Sequence, residues 1–288
     1  MQVELIDSVE EFIAATTAFR ALDPLRTNVI GSVSLSVADG DRSYDAYHWW
    51  TVRDDAGEVI GIAMRTSPFN LVVSSMPTDA AHLLGVALAR HDDTVPGVIG
   101  PNDTVDALVA GYVTTKSPGS TRDHFEQRRD LLYELEELVT PDVDGIGRPA
   151  REDEAELLAQ MYVAFADEAA IPPITIDEAR AMTARHTRHQ SLFCWEVDGH
   201  VVSFAGHAPL VATGEVIIGR VGPVYTPPEH RRHGYGSAVT AHVSRHVLEK
   251  GARVMLFTDA ANPTSNAIYQ VIGYRLIDEM IQMGFREP

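Results

Sequence analysis

The chain has 288 residues, 45% of them apolar and 7% aromatic, with 41 acidic against 23 basic side chains and a formal charge of −18. At ~100–200 residues per domain, that length holds one large domain or two ordinary ones, with enough apolar residues for a real core. So negative a chain has no general grip on a phosphate backbone, and no apolar run is long enough to span a bilayer, which excludes broad nucleic-acid binding and a membrane-spanning helix.

In chain order, periodicity predicts a strand at 3–5, a helix over 9–21 and strands over 46–53, 59–66 and 70–75. A helix over 78–90 follows, then a strand at 97–100, a helix over 103–115 and a strand over 130–138. In the second half, Ala155, Leu158, Met161, Tyr162 and Phe165 recur at helical spacing, and Pro172-Pro173 break that helix before another over 175–185. Strands over 191–197 and 201–208 flank Asp198-Gly199-His200, a hairpin signal. A strand over 216–225 is interrupted by Gly222-Pro223. A glycine-rich loop then leads to an amphipathic helix over 237–249, a strand over 254–258, a helix over 263–272 and a strand over 275–285. The halves share this order without visible sequence identity, which suggests a structural repeat.

The halves differ in charge: residues 1–144 carry 24 acidic and 10 basic side chains, residues 145–288 carry 17 and 13. The run Thr140-Pro141-Asp142-Val143-Asp144-Gly145-Ile146-Gly147 reads as a linker, placing domains at 1–143 and 144–288. The N-terminal Met1-Gln2-Val3-Glu4-Leu5 lacks the basic and apolar regions of a signal peptide. Cys194 is the single cysteine, so there is no disulfide framework or cysteine-rich metal site. A cytoplasmic protein without membrane association is expected.

The informative segment is Val224-Tyr225-Thr226-Pro227-Pro228-Glu229-His230-Arg231-Arg232-His233-Gly234-Tyr235-Gly236-Ser237. Glycines between a strand and a helix let the backbone turn sharply and bring its N–H groups close to a ligand. The helix that follows points unpaired N–H groups and a positive dipole end into the same space. Arg231, Arg232 and His233 add cationic donors, so the segment reads as a pyrophosphate site, although a basic turn before an ordinary helix has the same composition. A third glycine for a dinucleotide fingerprint would fall at Val239, and no Walker ending is present.

After the 254–258 strand comes Asn262-Pro263-Thr264-Ser265-Asn266-Ala267-Ile268-Tyr269-Gln270-Val271-Ile272-Gly273-Tyr274. Together the two segments resemble the GNAT superfamily of N-acetyltransferases. Arg231, Gly234 and Gly236 match its cofactor loop, [Q/R]-x-x-G-x-[G/A]. Asn262, Ser265, Tyr269, Gly273 and Tyr274 match its next block. The resemblance covers about 146–288. It implies an α/β (α+β) fold of two GNAT-like domains, each a mixed, mostly antiparallel sheet flanked by helices. The first would be diverged and without a cofactor motif, the second catalytic.

By the same resemblance, acetyl-CoA would lay its pyrophosphate on the amides of Arg232, His233, Gly234, Tyr235, Gly236 and Ser237. Its pantetheine arm would run along Val224, Tyr225 and Thr226, in a slot opened by Gly222-Pro223. Tyr269 is implied as the group that protonates or hydrogen-bonds the leaving thiolate, with a core aromatic as the plain alternative. Asn262 and Asn266 would bind the cofactor arm or cap their helix. Substrate recognition would fall between the first two helices of the second half, where Glu168 or Asp167 stands ready to pair with an ammonium group or merely to solvate a helix end.

No general base stands out. Some relatives carry a Glu on the central strand where this chain has Arg220, and arginine accepts no proton at neutral pH. Glu196, His207 and Glu215 are nearby titratable residues, read as structural. His242 and His246 have i, i+4 metal spacing without an H-E-x-x-H sequence and are read as surface residues, so no metal is expected. The expected activity is acetyl transfer from CoA to the amine of a small-molecule or peptidic acceptor, with a homodimer left open as the assembly. A non-catalytic acyl-CoA-binding sensor or partner-docking module is the alternative. In the first half, Ser74-Ser75-Met76-Pro77-Thr78-Asp79 lacks a glycine pair and an arginine at the equivalent point, so one cofactor per chain is expected.

Overall fold

The computed structural model describes residues 1–91, 95–116, 124–169 and 173–285. The chain opens with strand β1 (Gln2–Ile6), helix α1 (Val9–Leu22) and helix α2 (Asn28–Ala38), then strands β2 (Tyr47–Arg53), β3 (Val59–Thr66) and β4 (Leu71–Val73). Helix α3 (Thr78–Arg90), β5 (Gly97–Pro101), α4 (Asn102–Lys116) and β6 (His124–Leu135) complete the first half. The second half begins with β7 (Ile146–Pro149), α5 (Ala155–Glu168), α6 (Ile176–Arg188), β8 (Leu192–Val197), β9 (His200–His207) and β10 (Val211–Thr213). It ends with β11 (Val216–Tyr225), α7 (Tyr235–Glu249), β12 (Arg253–Asp259), α8 (Pro263–Val271) and β13 (Tyr274–Phe285).

The strands form one continuous sheet in the order β1-β2-β3-β4-β5-β13-β6-β12-β11-β9-β8-β7, with β10 paired beside β11. Two pairings are parallel, β4 with β5 and β11 with β12; each joins strands linked by a crossover helix, α3 or α7. A parallel neighbour requires such a crossover, whereas the hairpin-linked strands pair antiparallel. The repeat suggested by element order is therefore real: each half is a meander, a parallel crossover, a helix and a final strand. The mixed, mostly antiparallel sheet flanked by helices is observed.

The final strands are exchanged. β6 ends the first half but pairs with β12 of the second, and β13 ends the second but pairs with β5 of the first. The two also pair with each other from Tyr274 opposite Leu135 to Phe285 opposite His124. Consequently Tyr133 and Leu135 of β6 belong to the core beneath α7, while Ile281 of β13 belongs to the core beneath α3 and α4. The 143/144 boundary falls in the loop between β6 and β7, but the sheet and both cores cross it.

Three elements have no counterpart in the sequence reading. Helix α2 contains Gly31 and three serines, poor helix formers that favour other local structure. Here Ser32, Ser34 and Ser36 bond back to carbonyls of their own helix, which is buried between the halves, with Gly31 against Val211 and Arg20. β7 lies where the linker was expected and is fixed by pairing with β8. β10 is three residues long. The proline break expected at Pro172 lies outside the described residues. Among the described residues no helix is long and apolar enough to cross a membrane, and no group of three or more His, Cys, Asp or Glu side chains could hold a metal.

Candidate active site

The site forms where β11 shifts register against one neighbour and parts from the other. Its antiparallel register with β9 shifts between Val221 and Val224, at the cis peptide Gly222-Pro223, where proline has no N–H for the ladder. On its other edge β11 pairs with β12 only from Ile218 to Arg220, opposite Arg253 to Met255. Beyond that the strands part. Gly222 and Pro223 from one and Phe257 from the other line a cavity of about 290 Å³.

The next turn prepares a helix end. Pro228–His230 make a short 3-10 turn, Arg232 and Gly234 adopt left-handed backbone (φ 67° and 81°), and α7 starts at Tyr235. The first helical bond runs from the Ala238 N–H to the Gly234 carbonyl at 3.0 Å, and no side chain caps this end. The amides of Tyr235, Gly236 and Ser237 therefore have no partner within the helix, the arrangement that receives anions. A Cβ on Gly236 would lie 3.2 Å from Thr226 Oγ1, so glycine keeps this approach narrow. Thr226 Oγ1 is itself held 2.9 Å from Ser203 Oγ, which also donates to the Tyr225 carbonyl.

Arg232 and His233 are exposed beside these amides, with His233 stacked on Tyr235 at 5.3 Å. Arg231 is committed elsewhere. Its Nε donates to the Thr226 carbonyl at 2.9 Å, its other arm pairs with Glu168, and its guanidinium lies over the Tyr225 ring. Tyr225 Oη donates to the other Glu168 oxygen at 2.9 Å. Glu168 thus ties α5 to the cofactor loop, and both of its oxygens are engaged. Val224 is half-buried against the core of the second half.

On the far side of β12, Asn262 caps α8 by accepting the Ser265 N–H at 3.0 Å. Asn266 Nδ2 donates to the Asp259 carbonyl at 3.2 Å, while its buried Oδ1 has no partner. Tyr269 is buried between Tyr133 and Tyr274, with ring centroids 6.5 and 6.0 Å away. Burial pushes its phenol up to about 12, with a small opposing effect from Ser265, so it holds its proton at neutral pH.

The titratable neighbours divide clearly. Glu196 is bound by Arg148 and Arg151, and Glu215 is exposed at the turn into β11. Buried His207 donates from Nδ1 to the Ala208 carbonyl at 2.8 Å, which leaves Nε2 as a buried acceptor without a partner; burial lowers its pKa. Cys194 is fully buried and its thiol is pushed up to about 12 by burial, so it is inert core. His242 and His246 do not lie on the open surface as expected. They are half-buried against Phe193 at 5.5 and 4.7 Å, and burial lowers the pKa of each.

Arg220 reaches out of its own half. Its Nε donates to Asn28 Oδ1 and its Nη2 to Ser32 Oγ, both at 3.2 Å and both on α2. Arg42, which follows α2, lines the same cavity as Arg220. Sequence reasoning missed Asn28, Ser32 and Arg42, because nothing local ties that serine-rich stretch to a strand almost two hundred residues away.

Comparison with known proteins agrees with this geometry. The FR47-like protein family matches residues 213–283, which span β11 to β13. A mycothiol acetyltransferase of Saccharopolyspora erythraea is 24% identical over 263 residues, covering 82% of this chain and 84% of that protein. A GNAT-family acetyltransferase structure from Colwellia psychrerythraea superposes over 99% of this chain and 100% of its own, with a TM-score of 0.61 at 10% identity. A tandem GNAT protein from the clavulanic acid biosynthesis pathway covers 100% and 99%, with a TM-score of 0.57 at 13% identity. The chain is therefore similar to GNAT acetyltransferases in fold and in its C-terminal segment. The tandem GNAT fold of these structures spans the whole chain.

The corresponding point of the first half carries a negative charge. The Asp79 carboxylate accepts the Ala80 N–H at 2.9 Å, placing a negative charge on the N-terminus of α3 where α7 offers open amides.

Proposed function

We propose that the protein is an acetyl-CoA-dependent N-acetyltransferase that acylates a small-molecule or peptidic amine at the parting of β11 and β12. The observation that carries this reading is the joint presence of that parting and the uncapped N-terminus of α7 at the end of the same strand. The amides of Tyr235, Gly236 and Ser237, with Arg232 and His233, suit a pyrophosphate, and the lack of a side chain on Gly236 leaves room for it. Backbone of Val224, Tyr225 and Thr226, freed from β12, suits the amide groups of a pantetheine arm. Asn266 Oδ1, buried without a partner, suits a donor on that arm.

When bound, acetyl-CoA supplies an activated acyl group: the amine nitrogen bonds to the carbonyl carbon as the carbon–sulfur bond breaks, and the sulfur leaves with a proton as free thiol. Around this exchange the chain does three things. Backbone N–H groups near Val224 donate to the carbonyl oxygen. Tyr269, which keeps its proton through neutral pH, supplies one to the sulfur and regains it from solvent. The surplus proton of the amine passes to solvent, since Glu196 is held in ion pairs and Arg220 is a cation.

The mycothiol acetyltransferase relative supports transfer of an acetyl group, the tandem GNAT structure supports the paired arrangement, and the Asp79 carboxylate at the N-terminus of α3 supports one cofactor per chain. Calorimetric titration with CoA, followed by thiol release from acetyl-CoA over a panel of amines, tests the reading. One site per chain with amine-dependent thiol release is expected. Arg220 in place of the carboxylate that some relatives carry favours the second reading, an acyl-CoA-binding sensor. One bound CoA with no thiol release from any amine would decide for it.

A further inference from the structure

The cavity between β11 and β12 is cationic in a chain of charge −18. Among the described residues, Arg42 and Arg220 line it and no Asp or Glu does. An adjoining cavity of about 460 Å³ shares Arg42, His186 and Ala208 with it and adds Arg185, together with Asp39 and Asp41. Asp41 is turned to His189, 3.0 Å away. Among the described residues, Arg42, Arg185 and Arg220 take part in no ion pair, although most arginines here do. Arg220 bonds only to the neutral Asn28 and Ser32, and Arg42 only to Tyr44 Oη at 3.3 Å.

Guanidiniums drawn together partly out of water without a paired carboxylate weaken a fold unless something negative joins them. The pKa of Arg220 is pushed down to about 10, first by burial and then by Arg42. Arg185 is lowered for the same two reasons. A second, independent feature points into the same space. Tyr162, 1% exposed, lines the cavity with its Oη buried and without a hydrogen-bond partner, a donor lacking an acceptor. His186, beside it, has its pKa lowered by burial and by the neighbouring arginines, so it adds no charge of its own at neutral pH.

We propose that this cavity binds an anionic group of the acceptor, a carboxylate or a phosphate, held by Arg42 and Arg220 with Tyr162 Oη as a further donor. The amine to be acylated is then carried by the same molecule and points toward the parting of the strands. This deepens the acyltransferase reading and rests on it for the identity of the ligand as acceptor. It also gives the first half a part in recognition, since Arg42 comes from that half and Asn28 and Ser32 aim Arg220. Planar guanidiniums suit the paired oxygens of either anion, and charge-assisted bonds of this kind are the strong ones.

The test uses matched amines: amino carboxylates against their carboxamides, and aminoalkyl phosphates against the parent amino alcohols. Thiol release from acetyl-CoA is measured for each with wild type, Arg42→Gln and Arg220→Lys. The charged member of at least one pair should have a KM at least tenfold lower than its neutral partner. Arg42→Gln should remove that advantage while the KM for acetyl-CoA stays unchanged, and Arg220→Lys should keep part of it. A carboxylate preference without a phosphate preference, or the reverse, tells which anion fits. Equal or better use of the neutral members by wild type overturns the proposal.

Binding separates this outcome from failure of the acyltransferase reading. If no amine is acylated, the same charged compounds are titrated calorimetrically, alone and with CoA. Saturable binding that Arg42→Gln weakens upholds an anion site, and its absence sinks it. Thermal melts of each variant show that the fold is intact.

Discussion

Replacing Gly236 with valine should leave the protein folded and remove CoA binding. Gly236 has ordinary helical backbone at the second position of α7, so the substitution meets no left-handed strain. Glycine and valine differ by less than ~0.5 kcal/mol in helix propensity, and the effect on stability should stay within ~1 kcal/mol. The added Cβ would sit 3.2 Å from Thr226 Oγ1, which Ser203 holds at 2.9 Å and so prevents from retreating freely. The methyls beyond it would fill the gap between the strand end and the helix amides. A hydrogen bond to a charged group is worth ~1.5–3 kcal/mol, and ~1.4 kcal/mol is tenfold in affinity. Losing two amide–phosphate bonds therefore weakens binding ~10²–10⁴-fold, beyond the range of titration for a micromolar ligand. Gly236→Ala, with one carbon, should fall between wild type and valine. Calorimetry with CoA measures the loss, and a thermal melt measures the fold. Wild-type affinity in the valine variant, with an unchanged melt, would refute the pyrophosphate assignment.

Titration of wild type should give one CoA per chain, because the Asp79 carboxylate at the N-terminus of α3 repels a pyrophosphate; two sites would show that the first half retains a working loop. Tyr269→Phe should lower kcat at least ~10-fold with acetyl-CoA affinity near wild type, since the phenol acts only as charge builds on sulfur; unchanged turnover would leave Tyr269 as packing. A fragment of residues 144–288 should fail to fold alone, because its core needs Tyr133 and Leu135 of β6, and co-expression with 1–143 should restore a soluble complex. A soluble, cooperatively melting fragment would contradict this. His186 is buried with its pKa lowered to about 3, so the unfolded chain binds its proton more readily. Its contribution to stability is fully present above the unfolded value of ~6.5 and declines as pH falls toward 3. Chemical denaturation from pH 7.5 to 4.5 should show that slope reduced in His186→Gln, and parallel slopes would remove His186 from the account.

Local chemistry was written plainly in the sequence. The hairpin at Asp198-Gly199, the α7 and α8 helices, the glycine pair at 234 and 236 and the Asn262 cap each depend on side-chain period or turn residues within about a dozen neighbours. So did the interruption at Gly222-Pro223, where a missing donor dictates a shifted register whatever lies beyond. Glu168 was read as a partner for a substrate ammonium group or a solvated helix end, whereas it pairs with the protein's own Arg231, something only the approach of α5 to the loop could decide.

Pairings between distant segments were not legible. Helix α2 exists because tertiary burial overrides the weak propensity of its serines and glycine. β7 and β10 are too short to show a period and exist through the strands beside them. The exchange of β6 and β13 leaves each strand's own pattern unchanged, since a strand alternates its two faces in the same way beside either neighbour. For the same reason Arg42 and Arg220 read as two unrelated cations. Sequence determines which side chains a strand or helix presents to each face, but their charges meet only when non-local packing brings the faces together. In this chain, that packing builds the cavity.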